Sequence, residues 1–512
     1  MIQEIVTALQ QATESSANEQ SLLSMGQMLA ELSQSETIAF FEQLVEFSQS
    51  NADSWIRPTT LLLANLPNPK IADWLPDETL APIRKLYEIC PADEILRIQL
   101  LAMLANKGSE SAIDLWCDLL CECPPESPSG IEAAFSPLIT NAKLGISRTQ
   151  LARLIEKGTD HPVAASAIYE LANHQYRQGN VDPHPLADRA PALVELLGAL
   201  IQRMAVIEEG GFPEGTDPDT IAATVQNSVA LIIALIDTLG LLKVEAAASK
   251  FNQAMDLRHR RIQVEAAAAL TTLDEPGGKQ KLLDLLIHPV VRPRILSYAK
   301  ELGFEKEISL EHKGPIANAE TQLALWLAQA QQMGLAPTAM NLLDQRELYW
   351  PSYEDPLACY LFSFEYGTGD NAYRNVGISG PLTHAFVSDI SDLSIADQYS
   401  AFAGWQTVTD EIYAVPIERA TNLLAGPTES LKRRIEMADF DEFEIDFVAC
   451  FFGEYVMAVS GKRANKSGTM IIDQDEQYWI PSGNPKSPID TKLAFDIWSG
   501  RKLLTSFNPA FS

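Results

Sequence analysis

Residues 264–292, VEAAAALTTLDEPGGKQKLLDLLIHPVVR, read as a helix, a tight break, a second helix and the basic start of a third. Val264, Ala267, Ala268, Leu270 and Leu273 recur at helical spacing, and the alanines let a neighbouring helix approach closely. Pro276 and the paired Gly277 and Gly278 end that helix, Leu282, Leu283, Leu285 and Leu286 give the next one its apolar face, and His288–Pro289 stops it. The pattern recurs. Leu100–Leu120 and Ala266–Leu286 both span 21 residues, with Leu104 falling on Leu270, Leu119 on Leu285 and Leu120 on Leu286. A weaker copy, Arg57–Leu75, places Leu63 41 residues before Leu104. Further candidates are His161–Ala172 and Ala230–Phe251. A helix pair cannot bury its apolar face alone, so recurrence at roughly 30–47 residues predicts stacked pairs sharing one continuous core.

The pattern resembles HEAT repeats, and in particular the short HEAT-like kind first associated with phycobilin lyases. Its Ala-rich helix (Ala266, Ala267, Ala269, Leu270) leads through Leu273, Asp274 and Pro276 into Leu285 and Leu286, then Pro289 and Arg292. The likeness is close in this stretch and diffuse over the rest of 1–305. It implies an irregular HEAT-like α-solenoid serving as a scaffold or adaptor. The repeat itself defines no bilin-binding residue, so lyase activity is not carried over.

Periodicity fades near 304–318, which places the expected boundary between a helical repeat domain, 1–317, and an α+β domain, 318–512. A helix over 318–334 either caps the solenoid or opens the next domain. Beyond it the texture turns aromatic and alternating. Leu357–Gly367 puts Tyr360, Phe362, Phe364 and Tyr366 on one face and Leu357, Cys359 and Leu361 on the other, a strand buried on both sides. Asp441–Phe452 and the segments after it predict a mostly antiparallel meander, with helices over Ile390–Phe402 and Ile489–Leu504. The expected fold class is therefore mainly α with a C-terminal α+β domain.

Acidic residues number 68 against 38 basic, a net charge of −30. A field of that sign repels phosphate backbones, so the expected partner is a protein, of basic character, and not nucleic acid. The most apolar stretch, Val229–Leu242, is interrupted by Asp237 and reads as a buried helix too short for the ~20 residues of a membrane span. With no secretory pattern at the start and six scattered cysteines, the expected compartment is the cytoplasm. The oligomeric state stays open.

No motif identifies a reaction, and no cofactor or metal is expected. Cys117, Cys121 and Cys123 lack the fourth ligand of a structural zinc site. Asp473–Gln477 lacks the glycine and distal glutamate of a calcium loop and reads as a polar hairpin turn. Ser460–Gly468 lacks the pattern of a phosphate loop and reads as a flexible basic hairpin whose Lys462 and Arg463 are interaction candidates. Trp350 and Tyr353, in the aromatic run before the first strand, are candidates for domain packing or an interface. The catalytic candidate is His384, with Asp389, Glu365 or Asp446 as its acid. The leading expectation is a non-enzymatic interaction scaffold. The alternatives are an enzyme with its site near His384, or an acidic immunity or inhibitor protein.

Overall fold

The computed structural model describes residues 2–14, 19–64, 66, 71–91, 95–141, 143–212, 215–367, 372–415 and 427–511. The chain divides into two compact units, Met1–Asp284 and Leu285–Ser512.

The first unit is helical, and its helices stack in two rows. One row runs through Ile56–Ala64, Ile95–Lys107, Pro128–Thr140, Pro162–Arg177, Pro218–Leu241 and Arg260–Thr272, each packed on the next. In the other, Gln34–Ser50, Leu80–Ile89, Glu110–Glu122 and Arg148–Lys157 stack in the same way. Local chemistry sets the starts. Ser109 accepts from the Ala112 N–H, Asp217 from the Thr220 N–H, and Ser147 forms a capping box with Gln150. One apolar cluster extends from Ile5 to Leu270 through the whole stack. The break at 274–278 falls where the sequence puts it, with Gly277 at φ 91°.

The helix around Val229–Leu242 is longer than its sequence suggested. It runs from Pro218 to Leu241, and with 187–208 it is one of two helices, among the described residues, long and apolar enough by length and composition to cross a membrane. Asp237 ties it into the stack. Its carboxylate takes the Arg177 guanidinium, which donates one bond at 2.8 Å, and the Asn173 amide at 2.9 Å.

The second unit is α+β and internally duplicated. Its first half is helix α1 (Pro315–Leu327), strands β1 (Ala339–Tyr349), β2 (Pro356–Tyr366), β3 (Tyr373–Ser379) and β4 (His384–Ala385), then helix α2 (Ile395–Gln406). Its second half is β5 (Ile412–Val415), α3 (Pro427–Glu436), β6 (Glu442–Phe451), β7 (Glu454–Arg463), β8 (Lys466–Ile472), β9 (Gln477–Pro481) and α4 (Thr491–Phe507). Each half builds an antiparallel meander, β1-β2-β3-β4 and β5-β6-β7-β8-β9. The registers coincide. Tyr360 lies between Gln345 and Ser379 as Met457 lies between Val448 and Ile472, so Gln345 matches Val448. Counting back, β1 and β6 bulge at the same place, skipping Leu343 in β1 and Asp446 in β6. Ile378 pairs with His384 as Ile471 pairs with Tyr478.

Five layers result. α1 covers one face of the first sheet through Leu323, Leu327, Tyr360, Phe362 and Phe364. α3 covers one face of the second through Leu431, Ile435, Val459 and Ile472. Between the sheets, α2 and α4 pack face to face in a core that includes Leu361, Ile378, Phe402, Ala458, Ile471 and Trp498.

In the stretch 318–334 the helix is α1, which starts at Pro315, ends at Leu327 and covers the first sheet of the second unit. The unit begins at Leu285, upstream of the 317/318 break read from the sequence, and Arg292 gives a reason. Its buried guanidinium donates to the carbonyls of Leu286 and Ala317 and to Glu320 Oε2, each at 2.9 Å, tying residues 286–301 to α1.

Candidate functional site

The duplication defines two matched positions where a strand meets the central helices. In the first half His384 of β4 stacks on Trp405, the residue after Gly404 of α2, with ring centroids 3.9 Å apart and planes at 12°. In the second half Tyr478 of β9 meets Arg501, the residue after Gly500 of α4, with the guanidinium 5.1 Å from the ring centroid. The two sites have diverged in chemistry. The Tyr478 hydroxyl donates to Asp397 Oδ1 from the opposite half, and Arg501 Nη1 donates to the same oxygen at 3.0 Å. His384 is surrounded by aromatic edges, Phe386 at 5.0 Å and Trp326 at 5.3 Å.

That setting decides what His384 can do. Burial holds its imidazole down at about 4, so the ring is neutral at physiological pH. The three acids considered as its partners are engaged elsewhere. Asp389 accepts from Ser391 at 2.6 Å, Glu365 pairs with Arg374 at 2.8 Å, and Asp446 accepts from the Ser460 N–H at 2.8 Å and from Thr491 at 3.2 Å. The ring contacts of His384 are aromatic, and the three candidate acids have these other partners. Trp405 remains 43% exposed, so the stack reaches the surface.

The other candidates fall into two groups. Trp350 is buried, and its indole N–H donates to Gln406 Oε1 at 2.6 Å, which makes it a core anchor of the second unit. Tyr353 is exposed, with its hydroxyl 3.4 Å from the Pro381 carbonyl. Lys462 and Arg463 are exposed but do not sit on a flexible loop. They end β7 at a two-residue turn, Ala464–Asn465, both at positive φ, with Arg463 paired to Lys466. Lys462 lies 4.0 Å from Glu442.

Beside Lys462 the structure holds a cleft of about 540 Å³. Glu444, Ser460, Thr469, Asp490 and Thr491 line it, and Asp446 stands behind Ser460 and Thr491 and orients both hydroxyls. Carboxylates and hydroxyls facing a single lysine suit a polar or cationic group. The signal in the sequence was Asp446, a carboxylate set among the apolar residues of a strand.

Two further motifs have these contacts. Asp473 is buried, accepts from the N–H groups of Asp475 and Glu476 at 2.8 and 2.6 Å, and pairs with Lys502 at 3.0 Å, which makes Asp473–Gln477 a pinned hairpin turn. The three cysteines near 117–123 differ in burial and in their partners. Cys117 is buried, Cys121 faces the Arg153 carbonyl, and Cys123 accepts from Arg97 at 3.1 Å. No family model matches the chain, and no curated protein is similar to it.

Proposed function

We propose that this protein is a non-enzymatic scaffold or adaptor of the cytoplasm. The helical array holds a protein partner along its length, and the duplicated α+β unit supplies a second recognition surface. The observation that carries this reading is the stacking of helix pairs in two rows around one core from Ile5 to Leu270, since such a construction extends a binding surface with every pair added. The likeness of residues 264–292 to HEAT-like repeats supports it. Net charge narrows the partner: at −30 the chain attracts a basic protein and repels nucleic acid. The cleft bordered by Glu444 and Asp490 would receive a cationic side chain of that partner.

The test is capture from native cytoplasm on the immobilised full-length chain. A stoichiometric basic protein, retained at about 0.15 M salt and released at about 0.5 M, is the expected result, because screening weakens acid–base contacts between surfaces. Failure to retain any stoichiometric protein at the lower salt overturns the reading.

A further inference from the structure

β1 is the outer strand of its sheet, and among the described residues its neighbour in the ladder is β2 alone. Tyr349 shows which of its backbone groups point away from β2. Its N–H donates to Asn508 Oδ1 at 2.8 Å, and its carbonyl accepts from Asn508 Nδ2 at 3.0 Å. Its ladder partner, Pro356, has no N–H to offer. Antiparallel ladders alternate inward and outward residues, and no bulge intervenes from 344 to 349. Glu347 and Gln345 therefore also direct N–H and C=O outward, and both residues are exposed.

The second half of the unit shows what such an edge accepts. There β5 pairs with Val448–Phe451, the residues that match Gln345–Leu348. The chain that precedes β1 supplies no equivalent strand, since residues 305–307 and 310–312 form 3-10 turns and α1 follows directly. Bulges and charges commonly keep sheet edges apart. Yet the same bulge, at Asp446, does not keep β5 from β6.

We infer that the open edge of β1 pairs with the same edge of a second copy of this chain, joining two sheets across a two-fold axis at Gln345. Charge selects the occupant and the register. With Gln345 opposite its own copy, Asp344 of each chain faces Arg346 of the other, extending the Asp344–Arg346 pair already present at 2.7 Å into an alternating quartet. An axis at Arg346 would oppose two guanidiniums and would present backbone groups already used by β2. Leu342 and Leu343, 39% and 43% exposed, flank the axis and supply apolar surface. The inference stands on the sheet edge alone and does not depend on the scaffold reading.

Sedimentation of the full-length chain from about 1 to about 100 µM tests it, a range that brackets the micromolar affinities of small interfaces. The expected result is a concentration-dependent dimer that Gln345→Pro weakens at least about tenfold, since proline on an edge strand whose N–H faces solvent spares the monomer's own ladder. Gln345→Cys provides an independent measurement. Directly opposed residues lie about 5.5 Å apart at Cα, within disulfide reach, so mild oxidation should cross-link the dimer at position 345, as assigned by peptide mapping. A chain that stays monomeric throughout, a folded Gln345→Pro variant that dimerises as the parent does, or a dimer that Gln345→Cys fails to cross-link at 345 each overturns the proposal.

Discussion

Gly404 and Gly500 each stand ten residues beyond a helix N-cap, Ser394 and Asp490, and each presses against the backbone of the other's helix. A Cβ on Gly404 would collide with the Asp496 carbonyl oxygen, and one on Gly500 with the Ser400 carbonyl oxygen. The contacts are reciprocal: in each case the sixth residue after one N-cap meets the tenth after the other. Backbone offers no side chain to move aside, so Gly404→Ala or Gly500→Ala must separate α2 from α4. Each substitution should cost at least about 3 kcal/mol, the upper end of ordinary overpacking, and the two costs should be similar because the sites are equivalent. Urea denaturation of the full-length variants measures this. A loss under about 1 kcal/mol at either site would show that the helices can part cheaply.

The strand over 357–367 was legible in the sequence because both of its faces are apolar, and Tyr360, Phe362 and Phe364 do lie against α1 while Cys359 and Leu361 face the central helices. The meander and both central helices were legible for the same reason. β1 was not. The skipped residue Leu343, followed by Asp344, Gln345, Arg346 and Glu347, breaks the alternation that marks a strand. The duplication was hidden as well, since matched positions carry unlike residues: His384 against Tyr478, Trp405 against Arg501, Leu343 against Asp446. Hydrogen-bond register preserves the relationship where side-chain identity does not. At the candidate sites, exposure of Tyr353, Lys462 and Arg463 followed from their polarity and context. The burial of Trp350 and the aromatic surroundings of His384 depend on Gln406, Trp405 and Trp326, residues distant in the chain.

His184 makes folding of the first unit pH-dependent. It is buried, its Nδ1 accepts from the Leu186 N–H at 3.2 Å, and its Nε2 lies 3.1 Å from Asn173 Oδ1, an arrangement that requires the neutral ring. Burial lowers its pKa to about 4 from the ordinary 6.5. The unfolded chain thus binds the proton more readily. The neutral ring's contribution is complete above pH 6.5 and is lost as the pH falls toward 4, amounting to roughly 2–3 kcal/mol in all. Replacing it, as in His184→Gln, should lower stability at pH 7 and flatten the decline between pH 6.5 and 4. An unchanged slope in denaturation midpoints across that window would contradict this assignment.

Thiol reactivity should separate the cysteines by burial. Cys123 is exposed, whereas burial pushes the Cys117 and Cys359 thiols up to about 12, leaving almost no thiolate at neutral pH. A disulfide reagent at pH 8 should modify Cys123 first and Cys121, half-buried and with its pKa also raised by burial, more slowly. Cys117 and Cys359 should react only after denaturation. Peptide mapping after timed quenching reads the order, and fast labelling of Cys117 in the native chain would mean that the helix Glu110–Glu122 opens locally.

Asp397 joins the two halves of the second unit, because it caps α2 through Ser394 and accepts from Tyr478 and Arg501 of the other half. Removing it leaves the Tyr478 hydroxyl and the Arg501 guanidinium in a half-buried site without their common acceptor. Asp397→Ala should therefore cost about 2 kcal/mol, more than a neutral surface hydrogen bond and less than a fully buried ion pair, since Arg501 is 43% exposed at its side chain. Tyr478→Phe alone should cost about 1 kcal/mol. In the double variant the two losses should not add. A coupling energy of about 1 kcal/mol from the four-member cycle is expected, since groups in direct contact share one interaction. Strict additivity would mean that Asp397 acts through its helix cap alone and that the pairing across the halves contributes nothing to the fold.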